Sequence, residues 1–347
     1  MDSIGKFAAY FYEDKVEVGD RRCSLGEITT EFLNLDFNIF KELDELARAF
    51  AGSARKMMEE KDCSAVPEVQ RKLKQFLELL WILPPYPSMP REQSAACQLF
   101  PRLAEQEETW QEMDDPKSET NFELTQWINE IDWLPYQLEW CYNQTSLIVD
   151  QYLEPLTKRT KDAYAFAFLC YCRDRDRAAF LLPNPSDEGT ISNTELSFVP
   201  IQDQDHSGQA VLGEVLRFND LVSFMKTDFY RGLMHGNAPR KCQNCGKFFL
   251  LTNGYKTCYC NNIAPGETER TCRKVGAHIK EAKKKASETP AQQEYRKVYN
   301  RLKMRKARGK ISIEEWNAAV AEAEELREQA ERGELSELEL RERLGKL

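Results

Sequence analysis

Apolar residues recur at three- and four-residue spacing from Phe37 onward. Phe37, Phe40, Leu43, Ala47, Phe50, Ala54 and Met57 share one stripe, which predicts an amphipathic helix beginning after Asp36. Ahead of it the period is two. Phe7 to Tyr12 is aromatic-rich, Val16-Glu-Val18 alternates, and Gly19-Asp20 precedes Arg21 to Ser24, which reads as a small β-meander. Ser24 and Glu27 have capping-box spacing, so a short helix is expected from Leu25. Pro67 suits the first turn of another helix with a core face of Val69, Leu73, Phe76, Leu77 and Leu80. That helix stops at Pro84-Pro85-Tyr86-Pro87.

Helical patterning continues over Glu92 to about Gln111, Phe122 to Trp133, Tyr136 to Tyr152 and Lys161 to Cys172, with a break expected near Pro135. Trp127, Trp133, Tyr136, Trp140 and Tyr142 cluster there and are read as core filling rather than a ligand pocket. Cys170 and Cys172 are read as small core hydrophobes, and Arg173 to Arg177 as a solvated helix end. Pro183 to Asn193 has loop composition. Leu196 to Ile201 and Val211 to Phe218 then read as strands joined by a polar loop, Asp203 to Gly208. Asn219 is the expected cap of a helix reaching His235, with Leu221, Phe224, Met225, Phe229 and Leu233 inward and Gly236 closing it.

The last third is helical in period. Val275, Ile279, Ala282 and Ala286 form an apolar row opposite Arg273, Lys280 and Lys284. After Pro290, Tyr295, Val298, Tyr299 and Leu302 are the expected core face, with Lys297, Arg301 and Arg308 outside. Gly309 with Ser312-x-x-Glu315, and Gly333 with Ser336-x-x-Glu339, repeat one helix-stop, helix-start design. Trp316, Val320, Ala323, Leu326 and Ala330 form a stripe expected to pair antiparallel with the basic helix before it. The fold expected is mainly α with small β elements, in four parts. Residues 1–178 form a mainly helical body with the β-meander, and 179–239 a strand-strand-helix segment. Residues 240–290 form a zinc-binding module, and 291–347 a C-terminal helical arm.

Charge changes this picture. The 347 residues carry a net −9, yet between Arg240 and Lys310 nineteen Lys and Arg face five Glu, a local balance of about +14. Such asymmetry points to a polyanion-binding segment on an acidic body. The nucleic-acid candidates are Arg273, Lys280, Lys284, Lys297, Arg301 and Arg308, with DNA and RNA both open as partners. No run of eighteen apolar residues predicts a membrane span. The start lacks a signal-peptide pattern, and eleven cysteines in such a chain suit a reducing, cytoplasmic setting.

The cysteines carry the sharpest chemistry. Cys242-Gln-Asn-Cys245-Gly246 is a metal knuckle, and Cys258-Tyr-Cys260 and Thr271-Cys272-Arg273 follow at workable distances. Two thiolates on a knuckle grip one side of a tetrahedral ion and two more close the other, which predicts a structural Zn2+ rather than a redox pair. Cys242, Cys245, Cys260 and Cys272 are the favoured ligands, with Cys258 or His278 as reserves for the fourth. The P-loop, dinucleotide, HExxH and GxSxG patterns are missing from the sequence, so no catalytic residues are assigned.

The stretch from about Leu196 to Leu344 resembles an uncharacterised bacterial family known as a domain of unknown function. The likeness rests on the Cys242 to Phe249 CxxCGKxF knuckle, Tyr259-Cys260, Thr271-Cys272-Arg273 with Gly276-Ala277, and the basic run Lys280 to Arg308. It implies the same four-cysteine metal set and no particular reaction. A looser likeness is to bacterial zinc-finger regulators that end in a Cys-Gly-Asn-Arg signature, which this chain lacks. The functional expectation is a cytosolic zinc protein with a nucleic-acid-binding or regulatory basic arm. The competing expectation is a protein-interaction scaffold, with a partner on the N-terminal helical body, and an enzyme of unrecognised class is the third.

Overall fold

The computed structural model describes residues 7–88, 107–174, 194–202, 210–252 and 257–347. The chain is mainly helical with small antiparallel sheets, and it separates into two compact units, Met1–Cys260 and Asn261–Leu347.

In the first unit, β1 (Phe7–Tyr12), β2 (Lys15–Val18), β3 (Arg21–Ser24), β4 (Glu195–Gln202) and β5 (Ala210–Phe218) form one antiparallel sheet in the order β3-β2-β1-β5-β4. The meander supplies three strands, and β1 then pairs with a strand some two hundred residues later. Registers Ala9↔Val18, Phe11↔Val16, Ala9↔Leu216 and Phe7↔Phe218 set these apolar side chains on one face, because alternate residues share a side. That face is covered by α1 (Glu27–Phe32), α2 (Asn38–Glu60), α3 (Val66–Leu80), α4 (Glu107–Asp114), α5 (Glu119–Ile148) and α7 (Leu221–His235) in a continuous core. A second core joins the end of α5, α6 (Lys161–Arg173) and α7 to Ala238 and Phe248. Those two residues belong to a hairpin, β6 (Ala238–Lys241) and β7 (Phe248–Leu251).

Several expectations need correction. Helix α5 runs unbroken through Pro135. Losing one N–H bond and meeting the preceding turn costs about 3 kcal/mol, but Ile131, Leu134 and Leu138 around it are all buried, and that burial holds the helix together. Helix α1 starts at Glu27, not Leu25. Glu27 still reaches back to the Ser24 N–H at 3.1 Å, while Gly26 in the left-handed region (φ 86°) makes the entry. Asp220, not Asn219, caps α7, accepting from Ser223 N–H at 2.6 Å. Trp127 is core, whereas Trp133 and Tyr136 are more than half exposed with ring centroids 4.7 Å apart. Cys170 and Cys172 are both half-buried, and Cys172 packs against the second core. The expected loops at Pro183 to Asn193 and Asp203 to Gly208, and most of the Glu92 to Gln111 helix, lie outside the described residues.

Helices α1 and α7 meet backbone to backbone. A Cβ added at Gly232 would stand 3.1 Å from Gly26 Cα and 3.2 Å from Leu25 O, so any other residue would press the two backbones apart by a few tenths of an ångström. Gly232→Ala is expected to destabilise the protein by about 1–3 kcal/mol through overpacking. Gly52→Ala, in α2 with open space around it, is expected to stabilise by about 0.5–1 kcal/mol. Urea midpoints of the two variants check both, and a harmless Gly232→Ala would show that the helices part without cost.

The second unit contains α8 (Cys272–Ser287), α9 (Pro290–Ala307), α10 (Ile313–Glu331) and α11 (Glu337–Lys346). Helices α9 to α11 enclose a small core of Ala291, Val298, Leu302, Ala323, Leu326, Leu340 and Leu344. Gln292 bonds Glu331 and Tyr295 bonds Glu324, while Tyr299 packs on Trp316. That falling register makes α9 and α10 antiparallel, as their complementary charge and stripes predict. Both predicted capping boxes form, and Thr289 with Gln292 makes a third. Gly309 and Gly333 take positive φ at the helix stops, as helix C-termini favour. Tyr295 and Tyr299 are only partly buried.

Helix α8 departs from its expectation. Its row of Val275, Ile279, Ala282 and Ala286 is not buried, and Ile279 is 42% exposed. Among the side chains described on α8, only Cys272 and Gly276 are buried.

Candidate metal centre

The knuckle is built into the β6–β7 hairpin, an element the residue pattern did not predict. Cys242 N–H donates to Lys247 O at 2.8 Å and Gly246 N–H to Cys242 O at 2.9 Å, which folds the chain back on itself. Gly246 has φ 74°, a left-handed turn position that glycine occupies without a Cβ penalty. Asn34, near the end of α1, seals the hairpin edge. Its Nδ2 donates to Phe248 O at 2.9 Å and its Oδ1 accepts from Phe248 N–H at 2.7 Å.

The other two cysteines come from short, hydrogen-bonded loops. Gln243 N–H donates to Cys258 O at 2.9 Å, which lays the 257–260 segment beside the knuckle. Further on, Ile263 bridges Thr271, and Cys272 N–H donates to Asn262 O at 2.8 Å. Thr271 caps α8 by accepting from Lys274 N–H, so Cys272 is the first residue of the helix.

The sulfurs of Cys242, Cys245, Cys260 and Cys272 all lie within 4.8 Å of one another. Cys245 and Cys260 Sγ are 3.7 Å apart, and all four thiols are free. Sulfurs at the corners of a tetrahedral zinc site, with Zn–S of about 2.3 Å, stand about 3.8 Å apart. The four thiols are therefore grouped closely enough to hold a single metal ion.

Local electrostatics prepare the sulfur for that role. Burial pushes the Cys242 thiol up, but N–H groups of Cys260, Cys245 and Asn244 directed at it, and the Cys260 side chain, outweigh burial and bring it down to about 7. Amide N–H groups aimed at a thiolate are the surroundings that orient and stabilise a metal-bound sulfur. Elsewhere burial outweighs the opposing pull of Arg21 on Cys23 and of Lys226 and Thr145 on Cys141, and it pushes both thiols up to about 12, the behaviour of inert structural cysteines.

The reserve ligands fall outside this group. Cys258 Sγ accepts from Arg240 Nη2 at 3.1 Å, and His278 is exposed on α8; neither joins the cluster.

The cationic candidates divide by helix. On α8, Arg273 and Lys280 are exposed, as are Lys274 and Lys283, and none of the four forms an ion pair among the described residues. The Lys284 side chain lies outside the described residues. On α9, Lys297 pairs within the helix with Glu294 at 2.9 Å and stays exposed, while Arg301 donates to Leu344 O of α11 at 2.9 Å. Arg308 is the exposed C-cap of α9. Among the described residues no helix is long and apolar enough to cross a membrane.

No curated protein and no solved structure matches the chain. Residues 190–344, which take in β4, β5, α7, the cysteine hairpin and every helix of the second unit, match the model of a family of unknown function (DUF6076).

Proposed function

We propose that this is a zinc-binding protein in which Cys242, Cys245, Cys260 and Cys272 hold a structural ion and α8 contacts the phosphate backbone of a nucleic acid. The observation that carries the reading is the position of Cys272. It belongs to the sulfur cluster and is also the first residue of a helix on which Arg273, Lys274, Lys280 and Lys283 are exposed and form no ion pair among the described residues, whereas Lys285 pairs with Glu281. Four thiolates fill a tetrahedral ion and leave no position for water, so the site supports structure rather than chemistry. Thiol ligands of this kind suit the reducing cytoplasm.

Phosphate contacts follow from charge. Arg273, Lys274, Lys280 and Lys283 spread along the helix without internal neutralisation, and a row of such cations binds polyanions by displacing condensed counterions. The affinity of the full-length protein for duplex DNA and for single-stranded RNA should therefore fall as salt is raised. Lys280→Glu with Lys283→Glu is expected to weaken binding at least about tenfold at low salt and to lower the salt slope by about two. Lys297→Glu with Arg301→Glu, on the bundle, should change it less than about threefold. Fluorescence anisotropy across a salt series decides between them. Affinity that stays flat with salt would remove the phosphate contact from the reading.

One observation favours a protein partner instead. The Val275, Ile279, Ala282 and Ala286 row is uncovered, and an amphipathic helix with an open apolar face suits a groove on another protein. Ile279→Asp separates the two readings, because it abolishes such docking and leaves a salt-dependent phosphate contact nearly intact.

A further inference from the structure

One face of α5 carries amides and acids around an uncovered indole. Gln126, Asn129, Glu130, Trp133 and Gln137 recur at three- and four-residue spacing, so they share one side of the helix. All five line a cleft of about 590 Å³, together with Asn219, Asp220 and Leu221 at the start of α7. That volume falls in the range of about 300–1,000 Å³ typical of small-molecule sites. Ile131 and Leu134, both buried, add apolar lining.

The polar lining is held in place yet keeps bonding capacity. Asn129 Oδ1 and Asp132 Oδ2 accept from Arg55 Nη2 at 3.3 and 2.7 Å, and Gln126 Nε2 donates to Glu130 Oε1 at 3.0 Å. Asp220 accepts from the Ser223 N–H at 2.6 Å and the Ser223 hydroxyl at 2.7 Å. Asn129 Nδ2, Gln126 Oε1 and the whole Gln137 amide form no hydrogen bond among the described residues. Trp133 is 57% exposed, and Tyr136, one turn on, stands at a ring-centroid distance of 4.7 Å, which restricts the positions the indole can take.

These groups select a ligand by their chemistry. Glu130, Asp132 and Asp220 line the cleft, and the described lining residues include no Lys, Arg or His, so a phosphate or carboxylate is repelled. Carboxylates only accept hydrogen bonds, whereas the carboxamides of Gln126, Asn129, Gln137 and Asn219 both donate and accept. An ammonium ligand only donates and leaves the amide N–H groups unanswered, while a hydroxyl answers both kinds of group. The indole face adds a flat surface for C–H groups. Hydroxyls around the rim and C–H bonds on the face describe a sugar ring.

We propose that this cleft binds a neutral saccharide. One sugar ring lies on Trp133, and its hydroxyls bond the carboxamides and carboxylates that share this face of α5. The site draws on neither the cysteine cluster nor α8.

Saturation-transfer NMR and calorimetric titration of the full-length protein with maltose, cellobiose, lactose and chitobiose test this, with spermidine as the organic cation for comparison. At least one of the four disaccharides is expected to bind with one equivalent, more tightly than spermidine. Trp133→Ala removes the stacking face and should weaken that disaccharide at least about tenfold. Because Trp133 is mostly exposed, the thermal midpoint should stay unchanged. Gln137→Met keeps the length of the side chain and removes its amide, and should weaken the same sugar about five- to tenfold. The proposal is overturned if none of the four disaccharides binds, if spermidine binds more tightly than all of them, or if both variants bind sugar like the parent.

Discussion

Cys245→Ser is expected to release the metal and unravel the knuckle, while Cys258→Ser keeps a full equivalent. The contrast follows from geometry. Cys245 Sγ stands 3.7 Å from Cys260 Sγ inside the four-sulfur group, whereas Cys258 faces Arg240 outside it. Serine offers a hydroxyl that does not ionise at neutral pH, so three thiolates must hold the ion with one corner open to water. Affinity should fall by more than about 100-fold, because losing a direct ligand exceeds the 10–100-fold cost of losing a residue behind one. Structural zinc binding is also folding free energy, so the loss appears as disorder. The amides of Cys242, Gly246 and Cys272, now bonded to Lys247, Cys242 and Asn262, should lose hydrogen-exchange protection. Those of β1 and β5 rest on a separate apolar core and should keep theirs. Elemental analysis after dialysis against a chelator, with exchange mass spectrometry, reads both effects. A Cys245→Ser protein with one metal equivalent and the parent's exchange pattern would sink the assignment, as would a metal-free Cys258→Ser.

How much of this was legible in the residues depends on the range of the interaction that decides each feature. Helix starts and stops in the second unit were legible because their cause is local. Ser312 with Glu315 and Ser336 with Glu339 bond within one turn, and Gly309 and Gly333 need only their own φ. The strands of the sheet could be read from alternation, but no local pattern shows that β1 pairs with β5. The β6–β7 hairpin was missed because each strand is four residues long and Pro239 and Arg240-Lys241 obscure the first. The available signal was the apolar run Phe248 to Leu251 directly after the CxxCGK turn. Pro135 failed as a helix stop because buried neighbours outweigh a local penalty.

Period tells which side chains share a face but not what covers that face. The α8 row shows this limit, since Ile279 keeps the spacing of a core residue and stays 42% exposed. The converse holds for polar residues. Asn34, Arg159, Asp228 and Arg240 sit in stretches that read as surface, yet Asn34 clamps the metal hairpin and the other three are buried. Composition gave no sign of them, because their role depends on partners brought together from far along the chain. The distribution of cations was similarly half visible. The sequence shows the excess of Lys and Arg, and the fold shows that Lys285, Lys297 and Arg301 have partners within the second unit while Arg273, Lys274, Lys280 and Lys283 form no ion pair among the described residues.

Asp228→Asn is expected to flatten the dependence of stability on pH between about 4 and 7. Asp228 on α7 is fully buried. Its carboxylate accepts from Gly26 N–H at 2.8 Å, Thr29 N–H at 2.9 Å and Thr29 Oγ1 at 2.7 Å, pinning the start of α1 to α7. Burial pushes this carboxyl up to about 6, against the opposing pull of those three donors. In the unfolded chain it titrates near 3.8. Between these values the native state binds more protons than the unfolded state, so stability falls as pH rises through the window. The change is on the order of 3 kcal/mol, about two pH units at about 1.4 kcal/mol each. It is complete once pH exceeds the folded value. Asparagine keeps the shape and has no proton to exchange, but its amide nitrogen must face one of the donors, which costs about 1–3 kcal/mol at any pH. The stability gap between parent and variant should therefore be widest near pH 4 and narrow by about 3 kcal/mol by pH 7. Urea denaturation at several pH values measures it. A gap that stays constant, or widens toward neutral pH, would mean that Asp228 stays ionised in the fold and that its three donors outweigh burial.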